Sequence, residues 1–544
     1  MHSPIVGTTD VIVVGAGYTG LAVAKALQED SRLSFRVLEA TDRVGGRTLN
    51  VDVVTGRQSV ISDDVIELGG EWLAKTQHPL ALSLVEELGF ELFHMPFQSQ
   101  ARVRTRATRP TDPLQLRAAR TKLTDPSLCI VAHTSLGTIT AVTPDAVQSQ
   151  LPATVQAQAA NGSAAFLELS ADVPCGAPLS GLAGRAADYD GLSYLAWMQA
   201  RGYAAEAQAC MEYVADDAES VRAMSMLGVL WVYNCSKQSE GADWEDWWRI
   251  RGGSQGPALR LAQRLNGSIT LNAPVRAVTQ QPRRHRGCGA GGSGNGSGSD
   301  CDSHGSDASD DDVELVVETA AGETLRARHV VLAGLPPPLV AGLTFSPPLP
   351  ADTYELLSRM PLGSSLKYSV VYSAPWWRGR GYRGNIETTS TAPGSGASPY
   401  VGYCLDNTPA SGARGVLCCF VEGDNNRAFF EDLPSAAARR AHVLGFVGRS
   451  FNDTAAAATA LSVIEHNWAD QPYSRGAYMS YFPPGVITSL WPAWQRAAFE
   501  HNGSAAMRRL WIGGADYDTE AIGYIEGALR SGREVAEQIL AAER

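Results

Sequence analysis

Four consecutive apolar residues, Val11 to Val14, set the first clear pattern in the chain. A run without polar alternation predicts a strand buried on both faces, the habit of parallel sheets. GAGYTG follows, and LAVAKALQED after it carries apolar residues at helical spacing. FRVLEA then reads as a second strand, so the chain opens with a strand–helix–strand unit. Residues 191–234 read as helical and end in an apolar face of Met224, Met226, Leu227, Leu230 and Trp231. ALRLAQRL predicts a further helix, strands are expected within 269–333, and a last helix runs from Tyr524 to Ala542. The mixture of βα units with antiparallel runs predicts an α/β fold: a Rossmann-like domain joined to an α+β region.

Two stretches escape this patterning. From Arg102 to Lys122 basic residues recur without helical or strand period, and an Ala/Ser/Thr/Gln-rich region continues to about residue 190. Such a segment is expected to be a solvated, partly disordered insertion. Residues 286–312 are Gly-, Ser- and Asp-rich and low in complexity. Lying between VRAV and VELVVET, they predict a swollen hairpin loop.

Composition narrows the function. The chain has 544 residues, 44% of them hydrophobic, and a net charge of −12. General affinity for nucleic acid is excluded by that sign. Nine cysteines stand without CxxC pairs, and the adjacency of Cys418 and Cys419 suits no disulfide framework, so free thiols in a reducing compartment are expected. No charged-then-apolar leader precedes the first strand, and the most apolar window, Val330 to Pro350, holds six prolines and predicts no membrane helix. The expectation is a soluble intracellular protein, cytoplasmic or in another such compartment, not secreted.

The chemistry concentrates in glycine motifs. Gly15, Gly17 and Gly20 form GxGxxG between strand and helix, with Ala16 inside the turn. The first glycine permits the turn, the second lets backbone approach a pyrophosphate, and the third lets helix pack on strand. The helix N-terminus then offers unpaired amides to phosphate. Glu39 ends the next strand and is placed to accept hydrogen bonds from a ribose. A second glycine pair follows in ATDRVGGRT beside Arg43 and Arg47, and a third, Gly69 and Gly70, in IELGGEWLAKTQHP. A nicotinamide site does not need these additions. Lys367 is the only lysine after Lys237 and sits among apolar residues on an expected strand, where it needs a partner or water. Tyr478 and Tyr481 lie in SRGAYMSYFPPG, among turn residues that do not account for them.

With these motifs the chain resembles the flavin-dependent amine oxidases, and among them the monoamine oxidases. The family opens with the same glycine motif, an E-A-x-D-R-x-G-G-R stretch and a hydrophobic-G-G segment. The resemblance continues in RIRGGSQGPALRLAQRL, VVLAGLPPPLV, RMPLGSSLKYSVVYSAPWW, WADQPYSRGAYMSYFPPG and LWIGGADYDTEAIGYIEGALRSGREVAEQI. It implies an FAD domain in three pieces, 1–96, 250–340 and 466–544, and a substrate domain from 97–249 and 341–465. It implies FAD contacts at Gly15, Ala16, Gly17, Gly20, Glu39, Arg47, Gly69, Gly70, Glu71, Trp72, Val275, Gly514, Asp516, Gly523 and Ile525. It also implies a pair of tyrosines, Tyr478 and Tyr524, that sandwich the amine, and a Lys367 that holds water against the flavin. Aromatic faces suit that task, because their negative quadrupole attracts a nitrogen gaining positive charge.

Three departures matter. Ala477 stands where many monoamine oxidases have the cysteine that attaches flavin, so FAD is expected to be noncovalent. Asp516 replaces a longer glutamate. The chain ends soon after Tyr524, without the membrane-anchoring tail of outer-mitochondrial relatives.

The implied reaction is oxidative deamination of primary amines, aromatic or biogenic monoamines, to aldehyde, ammonia and hydrogen peroxide. The implied partners are an amine and molecular oxygen; a homodimer is compatible. Polyamine oxidase and L-amino-acid oxidase remain alternatives. Ala74 and Lys75 lack the second acid often found there in polyamine oxidases, which favours monoamines. A flavin-binding scaffold without turnover is the alternative of another class. DWEDWW, Asp243 to Trp248, is expected to pack at a domain junction, and no metal-ligand cluster is expected.

Overall fold

The computed structural model describes residues 5–94, 129–134, 137–141, 151–173, 185–212, 221–239, 247–265, 267–283, 313–388, 398–498, 500–501 and 507–544. The basic stretch around Arg102–Lys122 and the whole of 286–312 lie outside the described residues.

The Ile5–Val14 strand lies inside an eight-stranded sheet. It pairs in parallel with Phe35–Leu38 on one side and Thr324–Ala333 on the other. Ile269–Thr270 extends one flank in parallel, and Leu510–Gly513 runs parallel beside Thr324–Ala333. Val275–Pro282 and Val313–Thr319 pair antiparallel, with Val278 opposite Val317. Thus the two runs flanking the low-complexity segment form the expected hairpin. Val11, Ile12 and Val13 are fully buried, as a run without polar alternation requires.

Helices cover this sheet for reasons visible in side-chain size. Tyr18–Asp30 packs its Leu21, Val23, Ala24 and Leu27 inward. A Cβ on Gly20 would stand 1.9 Å from the carbonyl oxygen of Gly15, so only glycine lets this helix lie so close to its strand. Gly20→Ala is expected to destabilise the protein by about 2–3 kcal/mol, read from denaturant unfolding. An unchanged unfolding midpoint would show that the contact is relieved cheaply. The last helix, Ile525–Ala542, crosses the first and buries Val535, Ala536 and Ile539.

A seven-stranded sheet carries the second region. Its order is Ser462–Asn467, Ser365–Tyr372, Gly415–Glu422, Val401–Asp406, Tyr382–Thr388, Cys129–Thr134 and Gly137–Ala141. Every residue of Ser365–Tyr372 is buried. A smaller sheet sets Trp247–Ile250 between Leu73–Ala74 and Leu92–His94. Among the described residues, no helix is long and apolar enough to cross a membrane.

Two expectations are corrected. The region 101–190 is not all solvated insertion: Ala153–Ala171 is a helix whose Val155, Ala159, Gly162 and Phe166 face inward, and Cys129–Thr134 joins the second sheet. The spacing of those four residues is helical and was obscured by the polar residues between them. The free-thiol expectation fails for Cys404 and Cys419, which are bonded to each other as register partners on adjacent antiparallel strands, Cα atoms 4.0 Å apart. Adjacency to Cys418 is no obstacle, since neighbours on a strand point to opposite faces. Cys418 remains a buried thiol, which burial pushes up to about 12.

Candidate active site

The glycine turn and the acid after the second strand meet. Glu39 accepts from the Ala16 amide at 2.7 Å, and its other oxygen accepts from the Thr41 amide at 2.9 Å. The helix begun at Gly17 has no side-chain cap, so its first amides have no acceptor among the described residues. Gly17 and Gly46 approach closely, since a Cβ on Gly46 would lie 3.3 Å from the Gly17 Cα. Backbone bonds from Asn272 to Thr41 and from Ala273 to Glu39 bring half-buried Val275 to the same end of the sheet.

Arg47 joins three segments. Its guanidinium donates to the Tyr478 carbonyl at 2.7 Å and forms a two-pronged pair with Asp516, which is fully buried. Asp516 also accepts from the Ser480 amide at 2.7 Å. Gly514 lies against Gly334, so tightly that a Cβ there would sit 2.9 Å from the Gly334 Cα. The shorter acid at 516 is therefore spent on Arg47 and Ser480.

Lys367 lies on the fully buried Ser365–Tyr372 strand and is 2% exposed. Its Nζ donates to the Gly69 carbonyl at 2.7 Å and to Glu71 at 2.8 Å. Gly69 is confined: a Cβ would stand 1.9 Å from the Arg47 carbonyl oxygen. Gly70 is the opposite, exposed and with nothing within 4 Å of a Cβ position. The Phe420 ring lies 5.0 Å from Lys367 Nζ and the Trp72 ring 5.6 Å. Glu71 is held in turn by Asn407 at 2.8 Å, while Arg249 pairs with Glu67 beside it.

An aromatic wall continues from there. Tyr403 stacks on Phe420 with centroids 4.4 Å apart, and its hydroxyl lies 3.3 Å from that of Tyr478. Tyr478 also donates to the Glu422 carboxylate. Burial and that nearby charge push its phenol well above the ordinary value, so it is neutral and a donor. Tyr524 stands at the N-terminus of the last helix, which carries no side-chain cap, with Ile525 as its first residue. Its ring lies 5.1 Å from His78 and 6.3 Å from Trp247. Gly523 packs on Met479, with a Cβ position 3.1 Å from the sulfur, so the segments bearing the two tyrosines touch.

Sequence reasoning passed over several of these neighbours: Glu67, Arg249, Tyr403, Asn407, Phe420 and Glu422. Their order along the chain carries no signal for it, because they converge only through strand register. Trp247, in the stretch expected to pack at a domain junction, has its ring 6.3 Å from that of Tyr524.

The sequence profile of the flavin containing amine oxidoreductases matches residues 18–540. Flavin-containing amine oxidase B from Sus scrofa is 27% identical over 542 residues, spanning 98% of this chain and 86% of that protein. Flavin-containing amine oxidase A from Canis lupus familiaris is 25% identical over 544 residues, spanning 98% and 85%. Among solved structures, a double mutant of putrescine oxidase superposes with a TM-score of 0.74 at 25% identity, covering 99% of this chain and all of that one. Cyclohexylamine oxidase from Brevibacterium oxydans IH-35A shares the fold, with a TM-score of 0.75 at 22% identity over 98% of this chain and 100% of that one. With its parallel-sheet nucleotide end and matching motifs, this chain belongs to the family of flavin-containing amine oxidases and is similar within it to the monoamine oxidases.

Proposed function

We propose that this protein uses noncovalently bound FAD to oxidise primary aromatic or biogenic monoamines to aldehyde, ammonia and hydrogen peroxide. The observation that carries this reading is Lys367, buried on the Gly69–Gly70 turn beside the aromatic wall of Trp72, Phe420, Tyr403 and Tyr478.

The residues suit FAD. The uncapped helix start at Gly17 offers amides to a diphosphate, the open side of Gly70 leaves room for a ring, and buried Trp72 Nε1 has no acceptor among the described residues. In this reading Gly15, Ala16, Gly17 and Gly20 cradle the diphosphate, Glu39 takes the ribose and Val275 flanks the adenine. Arg47, Gly69, Gly70, Glu71, Trp72, Gly514, Asp516, Gly523 and Ile525 surround the ring end. Ala477 offers no sulfur for attachment. Bound FAD supplies the two-electron acceptor that side chains lack.

The chain's own groups do the rest. Tyr478 and Tyr524 present aromatic faces that orient the amine and favour its nitrogen as positive charge develops. Glu422 fixes the Tyr478 ring through its hydroxyl. Lys367 supplies a fixed cation and an N–H donor above the Gly69–Gly70 turn.

Protein containing the yellow cofactor, supplied with benzylamine, tyramine, putrescine, spermine and amino acids, is expected to release peroxide with the monoamines. Denaturation in acid is expected to release the flavin, whereas flavin that stays with the precipitate would refute noncovalent binding. Silence with every amine would favour the scaffold reading. The Glu422 carboxylate on a cage tyrosine supports a second reading, a substrate bearing a second amine, and faster turnover of putrescine or spermine than of tyramine would select it.

A further inference from the structure

Behind the aromatic wall lies a group of charges that amine binding does not use. Lys367, Glu71, Arg249 and Glu67 are each no more than 2% exposed. They form a chain: Lys367 to Glu71 at 2.8 Å, Arg249 Nε 3.9 Å from the second Glu71 oxygen, and Arg249 paired to Glu67. The two cations and two anions cancel. Asn407 secures Glu71 at 2.8 Å, and the Thr408 carbonyl secures Arg249 at 3.1 Å. Such a cluster is costly to bury and is held by the pairing of its opposite charges.

We propose that Glu71 is a positioning residue for the reoxidation lysine: its carboxylate keeps Lys367 charged and aimed, leaving one N–H for the space above the Gly69–Gly70 turn. The inference rests on reading that turn as lying beneath the flavin. An ammonium has three donors. Gly69 and Glu71 take two of those on Lys367, and among the described residues no acceptor takes the third; the Phe420 and Trp72 rings stand near the Nζ.

The groups facing Lys367 show why one carboxylate decides its state. Burial pulls its amino group toward the neutral form, and the Glu71 charge, helped by the Glu71 hydrogen bond and Glu67, more than offsets it. Burial, helped by the Glu71 charge and opposed by the Lys367 and Arg249 charges, keeps the Cys418 thiol in the pushed-up range already noted, so it stays protonated. On the neighbouring strand His466 is pulled down to about 4 by burial and by the Arg43 and Lys367 charges, so it adds no cation at neutral pH. Arg249 is a fixed charge paired to Glu67. Among the described groups, Glu71 alone is an anion in direct contact with Lys367. Without it, desolvation governs and the lysine releases its proton as pH rises.

The test needs bound flavin but no amine turnover. Sulfite adds to flavin and bleaches its visible band, and a nearby cation favours the anionic product. Wild-type protein and Glu71→Gln are titrated with sulfite across pH. The ratio of the Glu71→Gln dissociation constant to the wild-type constant is expected to rise about tenfold between about pH 7 and about pH 10, as the variant's lysine loses its proton. In a Lys367→Met background the same ratio is expected to stay flat, and Glu71→Asp is expected to restore part of the wild-type profile. A flat ratio with Lys367 present would overturn the proposal, whether or not any amine is oxidised.

Thermal unfolding supplies a second measure. Glu71→Gln is expected to lower the unfolding temperature alone and to raise it in the Lys367→Met background, where it removes an unpaired buried carboxylate. Folding of the double variant when Glu71→Gln alone fails would also support the coupling. Equal losses in both backgrounds, or equal failure to fold, would overturn it.

Discussion

Replacing Lys367 with Met is expected to slow reoxidation of the bound flavin by oxygen about 10²-fold, while its reduction by amine changes by less than about fivefold. Oxygen gains negative charge as it accepts electrons, and a fixed ammonium in a dry site stabilises that charge without solvent rearrangement. Lys367 is the only lysine in the second half of the chain, is 2% exposed, and has two of its donors committed to Gly69 and Glu71. Methionine keeps the length and apolar stem but removes the charge. The substitution also leaves Glu71 buried without its main partner, a loss of about 3–5 kcal/mol in stability. Adding Glu71→Gln is expected to recover most of it. Stopped-flow mixing separates the steps: anaerobic amine reports reduction, and reduced protein mixed with oxygen reports reoxidation. Equal rates of reoxidation in wild type and variant would remove Lys367 from the oxidative step.

The ease of finding Lys367 in the sequence contrasts with the difficulty of finding its partners. A lysine inside SLKYSVVY violates the apolar pattern of a buried strand, so a single window exposes it. Glu71 lies 296 residues away, and nothing local distinguishes it from a surface acid after a glycine pair. Arg249 and Glu67 meet across 182 residues in the same way. The parallel core was legible because Val11–Val14 and the GxGxxG turn are short-range consequences of burial and backbone sterics. The Cys404–Cys419 bond was not, because its two residues become opposite only once strand register is set. The Ala153–Ala171 helix shows the converse: its apolar spacing was present, but a low-contrast Ala/Ser/Gln composition hid it. Local rules therefore reveal elements and misfit residues, whereas the groups that satisfy a misfit are chosen by topology.

Asp516→Ala is expected to destabilise the protein by about 3–5 kcal/mol and to weaken flavin retention with it. The carboxylate has no exposure and takes three donors, two from Arg47 and the Ser480 amide. Arg47 also holds the Tyr478 carbonyl at 2.7 Å, so one acid ties the early arginine to the segment carrying Tyr478. Alanine leaves a guanidinium, 19% exposed at its side chain, without its counter-ion, and a buried amide without an acceptor. Asp516→Asn keeps an oxygen for Ser480 but loses the charge, and is expected to cost about 1.5–3 kcal/mol. Asp516→Glu adds a methylene to a site already filled by Arg47 and Ser480, so it is expected to cost about 1–3 kcal/mol rather than to improve the protein. Denaturant unfolding and the flavin-to-protein absorbance ratio measure the series. The order alanine, then asparagine, in severity follows if the charge pair is the main tie. Equal stability of all three variants with wild type would mean that the fold holds Tyr478 by other means.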